Sequence, residues 1–434
     1  MTCRHLGWLG RIECRSNASS PVLCFVALVT TASVLVLGAA DHATAQERAL
    51  DGDPVDLFTG LHTREHDDIV LDGSPEIRLT RSYRNRDPAS RAFGIGTSHS
   101  YDLYLVGDAV AFTYVDLILK DGGRIHYVRT TPGPGYEGAE FVHTATPSPF
   151  YMSRLRWNGH GWDIDLRDGS RYAFLPCGGA RSRYIHCGLI EYRDGRGARL
   201  AMTRDEFGNL TTITSGWFRT IRLTYDSAHR VVRARTGIGP ARTTVAYEYD
   251  AAGRLREVTW SHVSVRSVVF EIVRSYLTWQ LPSLRRMWVE RTMEYTYDDQ
   301  HQMLTVKEPG LQLEHEYDGA GRVIRQQVAG WGVWTFTYTE AQGKVVQTDV
   351  VNPDRLYRRV VFNADGYSLS DTVSPGAPDE DATLYEREPD TNAVTRITVT
   401  CQASTGVRVS ATAPVADGET EAAVRDRVRS QCAR

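Results

Sequence analysis

Helical periodicity, clustered cysteine and an excess of positive charge are all missing from this 434-residue chain. Without apolar heptads, a helical bundle or coiled coil cannot organise it. Fifty Lys and Arg face 53 Asp and Glu, a net charge of −3. Nucleic acid would call for a basic face, so it is not an expected partner. The seven cysteines include no Cys-x-x-Cys pair, although His186 adjoins Cys187. A zinc site needs clustered ligands at short spacing, so neither metal nor cofactor is expected. What the chain does have is strand-forming aromatics, with 21 Tyr, 12 Phe and 9 Trp.

The N-terminus reads as an export leader. Arg4, Arg11 and Arg15 precede an uncharged apolar run over 21–40, and Ala43-Thr44-Ala45 supplies a small-x-small cleavage pattern. The run is also long enough to span a bilayer, so a retained anchor is the alternative, with membrane contact only through residues 21–40. Removing residues 1–45 takes away three Arg and two acids, moving the net charge from −3 to −4. The expected location is therefore periplasmic, cell-surface or secreted. Four cysteines remain there: Cys177, Cys187, Cys401 and Cys432. Cys177–Cys187 and Cys401–Cys432 are the economical pairs among three possible connectivities.

The second half carries a repeated signature. It appears as Tyr225-Asp226, as Tyr249-Asp250-Ala-Ala-Gly253-Arg254-Leu255, as Tyr297-Asp298, and as Tyr317-Asp318-Gly-Ala-Gly321-Arg322-Val323. Weaker echoes run over Asp205–Leu210, Tyr338–Val345 and Phe362–Gly366. The spacing from Tyr249 to Tyr297 is twice that from Tyr225 to Tyr249, which predicts a degenerate copy between them. Asp opening the turn bonds the backbone ahead of it, and Gly at the fourth position takes a left-handed exit. Alternating residues flank each turn, as in Thr244–Tyr249 and Leu255–Trp260. Each copy is thus a β-hairpin. A lone hairpin cannot bury its apolar face, so the hairpins must stack edge to edge into a curved antiparallel ribbon. The fold expected is all-β.

Composition divides the chain into a leader (1–45), an N-terminal β module (46–130) and a strand-and-turn region (131–200) that opens with a Pro-, Gly- and Thr-rich loop. The repeats (201–373), a Pro- and acid-rich linker (374–393) and a tail module (394–434) follow. The tail has two strand-like stretches and then a segment with acids first and arginines last, which suits a helix dipole. A Cys401–Cys432 bridge would staple that helix to its strand.

Catalytic patterns exist but sit in the wrong context. His62-Thr-Arg-Glu65-His66 has the His-x-x-Glu-His spacing of inverted zinc peptidases, whose chemistry uses a helix. Here Gly60 and the following Asp67-Asp68-Ile-Val-Leu-Asp-Gly read as turn and strand. Ser98, His99 and Asp102 are triad residue types, yet triads are assembled from distant segments. The repeat aspartates read as turn formers rather than a glycosidase pair. Tyr225, Tyr249, Tyr297 and Tyr317 recur in register and make a row, either packed between turns or open for stacking on glycan.

These residues resemble the RHS/YD-repeat proteins over about residues 50–373. The repeat at Tyr249–Leu255 and Tyr317–Val323 carries the likeness. So does an N-terminal module in which Asp53–Gly60, Arg81–Asn85 and Phe93–Thr97 match the family's elements in order, with Thr97 where the family has tryptophan. The resemblance implies a β ribbon spiralling into a shell that, in toxin relatives, encloses a C-terminal toxin. The family's Asp-Pro-x-Gly core motif and a toxin-sized domain after it are not found, so its protease aspartates map to no residue here. The expectation is a partial RHS-type shell with a small C-terminal strand-strand-helix module. It would be a non-catalytic exported scaffold that binds or packages another polypeptide. A carbohydrate-binding envelope protein and an envelope hydrolase are the alternatives.

Overall fold

The computed structural model describes residues 50–51, 54–108, 112–144, 148–176, 187–216, 219–237, 242–263, 271, 273–275, 277, 288–403, 406–416 and 419–432. The leader, Cys177 and His186 therefore lie outside the described residues. Among the described residues no helix is long and apolar enough to cross a membrane.

The protein is all-β, as its alternation requires. One antiparallel sheet runs from Tyr104–Gly107 to Arg408–Pro414, each strand pairing with the next along the chain. It first closes on itself. Tyr104–Gly107 pairs with Tyr114–Ile118 on one side and, through Leu105↔Cys187 and Tyr104↔Gly188, with Cys187–Arg193 on the other. The far half of Cys187–Arg193 is left to pair with Arg199–Arg204, and from there the ribbon continues. The region over 131–200 thus belongs to the same sheet as the strands before it, and the loop read over 131–149 contains the short strand Glu140–Val142.

The sheet has one apolar face throughout, because directly paired residues share a face and side chains alternate along each strand. Leu313, His315 and Tyr317 point inward from Leu311–Tyr317, while Gln312, Glu314 and Glu316 point to water or the rim. The same pattern places Val245, Tyr247 and Tyr249 inward from Thr243–Tyr249. Register carries the inward face onward through Thr348↔Val360, Val360↔Asp371, Asp371↔Thr383 and then Tyr385↔Ile397. The outward face carries threonine pairs such as Thr296 with Thr305, 2.7 Å apart, and cross-strand ions such as Arg256 with Glu248.

Three segments cover the inward face in turn. Residues 63–102 cover the first stretch with a three-stranded sheet of Thr63–Leu71, Ile77–Arg84 and Thr97–His99. Val55, Leu57 and Phe58 follow, packed on Val323, Phe336, Val350, Val360 and Phe362. The C-terminal helix Glu421–Cys432 covers the last strands with Val424 and Val428 on Ile397 and Val399. Cys401 and Cys432 lie bonded beneath it, Cα atoms 6.1 Å apart. Cys187 is also disulfide-bonded.

Two readings are corrected. Among the described residues there is no degenerate hairpin between Tyr249 and Tyr297: Leu255–Val263 pairs directly with Trp288–Tyr297 from Glu257↔Glu294 to Val263↔Trp288. Residues 264–287 are an insertion between paired strands, with 271, 273–275 and 277 helical. The stretch 374–393 is not a linker either, since Asp381–Arg387 pairs on both sides. Its acids are turn chemistry: Glu380 accepts the Gly376 N–H at 2.6 Å and pairs with Arg408.

Candidate functional site

The signature turns form one rim of the ribbon. Asp250 Oδ1 accepts the N–H groups of Ala252 and Arg254 at 3.0 and 2.9 Å, and Oδ2 accepts Arg254 Nε at 2.6 Å. Gly253 closes the turn to the Asp250 carbonyl in the left-handed region, φ +89°. Asp226 with Arg230 and Asp318 with Arg322 repeat this geometry. Burial alone would raise these three carboxyls. The N–H of the arginine in each turn and its guanidinium outweigh that, holding each below the usual carboxylate range.

The tyrosines link one copy to the one before. Tyr225, Tyr249, Tyr297, Tyr317 and Tyr338 donate to the carbonyls of Leu210, Val231, Leu255, Met303 and Val323, at 2.6 to 2.9 Å. Each acceptor is the first residue after the preceding turn. Arg230 lies over the Tyr249 ring at 4.4 Å, Arg254 over Tyr297 at 5.3 Å and Arg322 over Tyr338 at 4.9 Å. Tyr249, Tyr297 and Tyr338 are thus held by hydroxyl and face together.

The N-terminal module seats on this rim and on the inward face beside it. Ile77–Arg84 continues to Asn85, and Arg81, Tyr83 and Asn85 alternate toward the wall. Asn85 Nδ2 donates to the Gly321 carbonyl at 2.9 Å. Tyr83 donates to His301 O and accepts from Met303 N. Ile95 N donates to Gly253 O, and Gly94 lies so close that a Cβ there would stand 2.5 Å from that oxygen.

At the centre of the seam lies a fully buried ion pair. Arg81 grips Asp68 with Nε to Oδ2 at 3.0 Å and Nη2 to Oδ1 at 3.1 Å. The wall completes it: Tyr247 donates to Asp68 Oδ2 at 2.8 Å, Tyr295 accepts from Arg81 Nη1 at 2.9 Å, and Trp260 Nε1 donates to the Asp68 carbonyl. Burial opposes charge on both groups, yet their mutual attraction and the His66 contact keep Asp68 below the carboxylate range and Arg81 well above its ordinary value. Removing one partner would strand a buried charge, the costliest kind of loss.

A histidine pair forms a second contact. The His62 and His315 rings stand 4.1 Å apart, and Gln326 Nε2 is 2.9 Å from His315 Nε2. Burial first, and Arg64 second, push His315 down to about 4.

His62 and His66 flank the start of the strand Thr63–Leu71; His66 Nδ1 contacts Asp68 at 3.0 Å, and Glu65 pairs with Lys120. Ser98 Oγ donates to Asp102 at 2.6 Å rather than to His99, whose Nδ1 accepts the Tyr101 N–H. Burial pushes His99 down to about 4. Among the described residues no three His, Cys, Asp or Glu side chains gather to hold a metal. The Asp68–Arg81 partnership was not anticipated. No local signal marks it, because the partners Tyr247 and Tyr295 lie far along the chain.

A family model described as a domain of unknown function, DUF6531, matches residues 52–127. No curated protein matches. Among solved structures, the chain is similar to "Crystal Structure of TcdB2-TccC3-Cdc42" at 11% identity and TM-score 0.34, covering 69% of this chain and 18% of that one. It is similar to "Crystal Structure of TcdB2-TccC3" at 11% identity and TM-score 0.32, covering 85% and 22%. A third is the Photorhabdus luminescens Tc holotoxin pore carrying a TccC3 mutation, at 11% identity and TM-score 0.23, covering 82% and 22%. The chain spans about a fifth of the length of these chains. Likeness at this level fixes neither activity nor partner.

Proposed function

We propose that this chain is an exported, RHS-like β scaffold that encloses polypeptide and performs no catalysis of its own. The observation that supports it is the seating of residues 55–102. One continuous apolar wall holds a stretch of polypeptide by backbone contacts from successive turns, at Val231, Gly253, Gly321 and Val323. Aromatic and charged side chains add to that hold from Tyr247, Trp260 and Tyr295. A surface built in this way is chemically suited to wrapping chain segments. The tyrosine row is spent on inter-repeat bonds, which leaves the glycan-stacking alternative without support from the rings. In this reading the leader directs export, the cysteines oxidise in that compartment, and the client is a polypeptide made alongside the scaffold in bacterial secretion or competition.

The test is co-expression of the full chain with the products of neighbouring genes, followed by chemical crosslinking and mass spectrometry of the exported complex. A defined client crosslinked to the wall is expected. If the exported chain runs alone with no client crosslinked, the packaging reading falls. Peptide hydrolysis that disappears in His62→Ala together with stoichiometric zinc would establish the hydrolase instead.

A further inference from the structure

One copy of the signature breaks its own rule, and a cleft lies where it does. The third turn reads Tyr297-Asp-Asp-Gln-His301-Gln302, with histidine in place of glycine and glutamine in place of arginine. His301 still adopts the left-handed conformation, φ +65°. Asp298 caps the turn by accepting the N–H groups of Gln300 and Gln302, as its counterparts do. What is lost is the guanidinium that would pair with Asp298 and cover Tyr317.

In that place is an open cleft of about 280 Å3. Its walls are the Gly319–Gly321 turn of the next copy and the loop from Arg86 of the N-terminal module. Arg86 is itself left-handed, φ +66°, and makes no ion pair among the described residues. Gln302 is 8% exposed, and its amide has no partner among the described residues. His301 Nδ1 is buried without one. Arg86 and Gln302 converge over Gly321, where an added Cβ would stand 3.3 Å from Arg86 Cδ and 2.8 Å from Gln302 Nε2. Asp87, the acid in the lining, is held by Arg91 at 2.6 Å and by the Ala89 N–H.

We infer that this cleft is a binding site for a carboxylate. Arg86 and Gln302 both line the cleft, and a guanidinium and an amide with no partner among the described residues are the donor types that a carboxylate accepts. The carboxylate is that of an acidic residue on a bound polypeptide; this source alone rests on the scaffold reading, and a free dicarboxylic acid is the other source of the same chemistry.

The test uses the full exported chain and three probes: a fluorescein-labelled glutamate-rich peptide, the same peptide with glutamine throughout, and glutarate as competitor. The glutamate peptide should bind roughly tenfold tighter than the glutamine one. Arg86→Gln should remove that preference. Gln302→Arg restores the pattern of the other copies, fills the cleft and re-pairs Asp298, so it should abolish binding while raising Tm. Glutarate displacing the peptide at equal or lower concentration would assign the site to free acids, with the carboxylate chemistry intact. Equal binding of the two peptides, or a preference that survives both Arg86→Gln and Gln302→Arg, would overturn the proposal. Because glutarate binding needs no client, failure of the packaging reading leaves this result separately readable.

Discussion

The two rims of the ribbon obey different rules. On the signature rim six turns are closed by the same bonds, an aspartate or asparagine accepting N–H groups two and four residues on, at Asp205, Asp226, Asp250, Asp298, Asp318 and Asn363. Two turns depart: Gln342-Gly343 is a two-residue turn with both φ positive, and 388–393 is closed by the Asn392 N–H on the Glu388 carbonyl. On the opposite rim the connections vary, from the pair at 309–310 to the insertion over 264–287, and include one turn, at Asp194, closed by the same bonds. That rim also leaves Trp331 at 75%, Leu356 at 42% and Val407 at 60% exposure. The difference follows from docking by backbone, since the opposite rim meets the N-terminal module through side chains, Arg219 donating to the carbonyls of Asp72, Ser74 and Pro75 and Glu308 pairing with Arg64. The signature rim faces Asn85, Gly94 and Gly60 of the N-terminal module, so its turns must repeat in three dimensions. A turn that touches only water has no such constraint.

The largest expected effect lies where the module meets the wall. Arg81→Leu strands the Asp68 carboxylate among Tyr247, Trp260 and His66 and should cost about 3–5 kcal/mol by urea denaturation. Arg256→Leu, which breaks an exposed pair on the outer face, should cost under about 1 kcal/mol. Equal losses would mean that the module is not what the wall is built around.

Acid should act on the same seam. His315 has its folded pKa at about 4 against an unfolded value near 6.5. The fold keeps it neutral, so between those values the unfolded chain binds a proton that the native state refuses. Stability is therefore present above about pH 6.5, declines as pH falls toward 4, and is not reduced further by this group below that. Between about pH 7 and pH 4.5 the loss should be roughly 2 kcal/mol, with His99 acting in the same direction. His315→Gln removes the titration. If the variant loses as much stability over that range as the parent, His315 is not the sensor.

Within the signature rim, Asp250→Ala removes two backbone acceptor bonds and an ion pair and should cost about 1–2 kcal/mol. Tyr249→Phe loses one hydroxyl bond to Val231 and should cost about 1 kcal/mol. Denaturation midpoints that separate the two in the opposite order would place the rim's strength in the rings rather than in the turns.

The division between legible and illegible residues follows the range of the bonds. The signature could be read because its chemistry is local: aspartate reaches residues two and four places ahead, and alternation sets which face is apolar. The doubled spacing before Tyr297 misled because an insertion on the unconstrained rim and a degenerate hairpin have the same arithmetic. Only the pairing of Glu257 with Glu294 separates them. Residues 374–393 misled because their prolines and most of their acids belong to two turns, 374–380 and 388–393, on either side of a strand whose Thr383 and Tyr385 take up the inward face. Asp68 and Arg81 were visible as residues but not as a pair with the wall. Their partners Tyr247 and Tyr295 are 179 and 214 positions away, and nothing local marks a charge as buried. The cleft at Gln302 was hidden differently, since a weak copy of a repeat looks like drift until Arg86 is seen across from it.

The smallest expected effect is also the sharpest check on the two rims. Trp331 sits at the tip of a turn closed by its own N–H to the Val328 carbonyl, a bond that any residue can make. With 75% of its surface in water, its ring buries little on folding, and large aromatic area stabilises only where it leaves solvent. Trp331→Ser should therefore change stability by no more than about 0.5 kcal/mol. Gly94→Ala, a far smaller chemical change, must push its methyl away from the Gly253 carbonyl and should cost about 1–3 kcal/mol. Urea midpoints of the two variants, measured beside the parent, rank the rims directly. A costly Trp331→Ser with a silent Gly94→Ala would reverse the assignment of which rim the fold depends on.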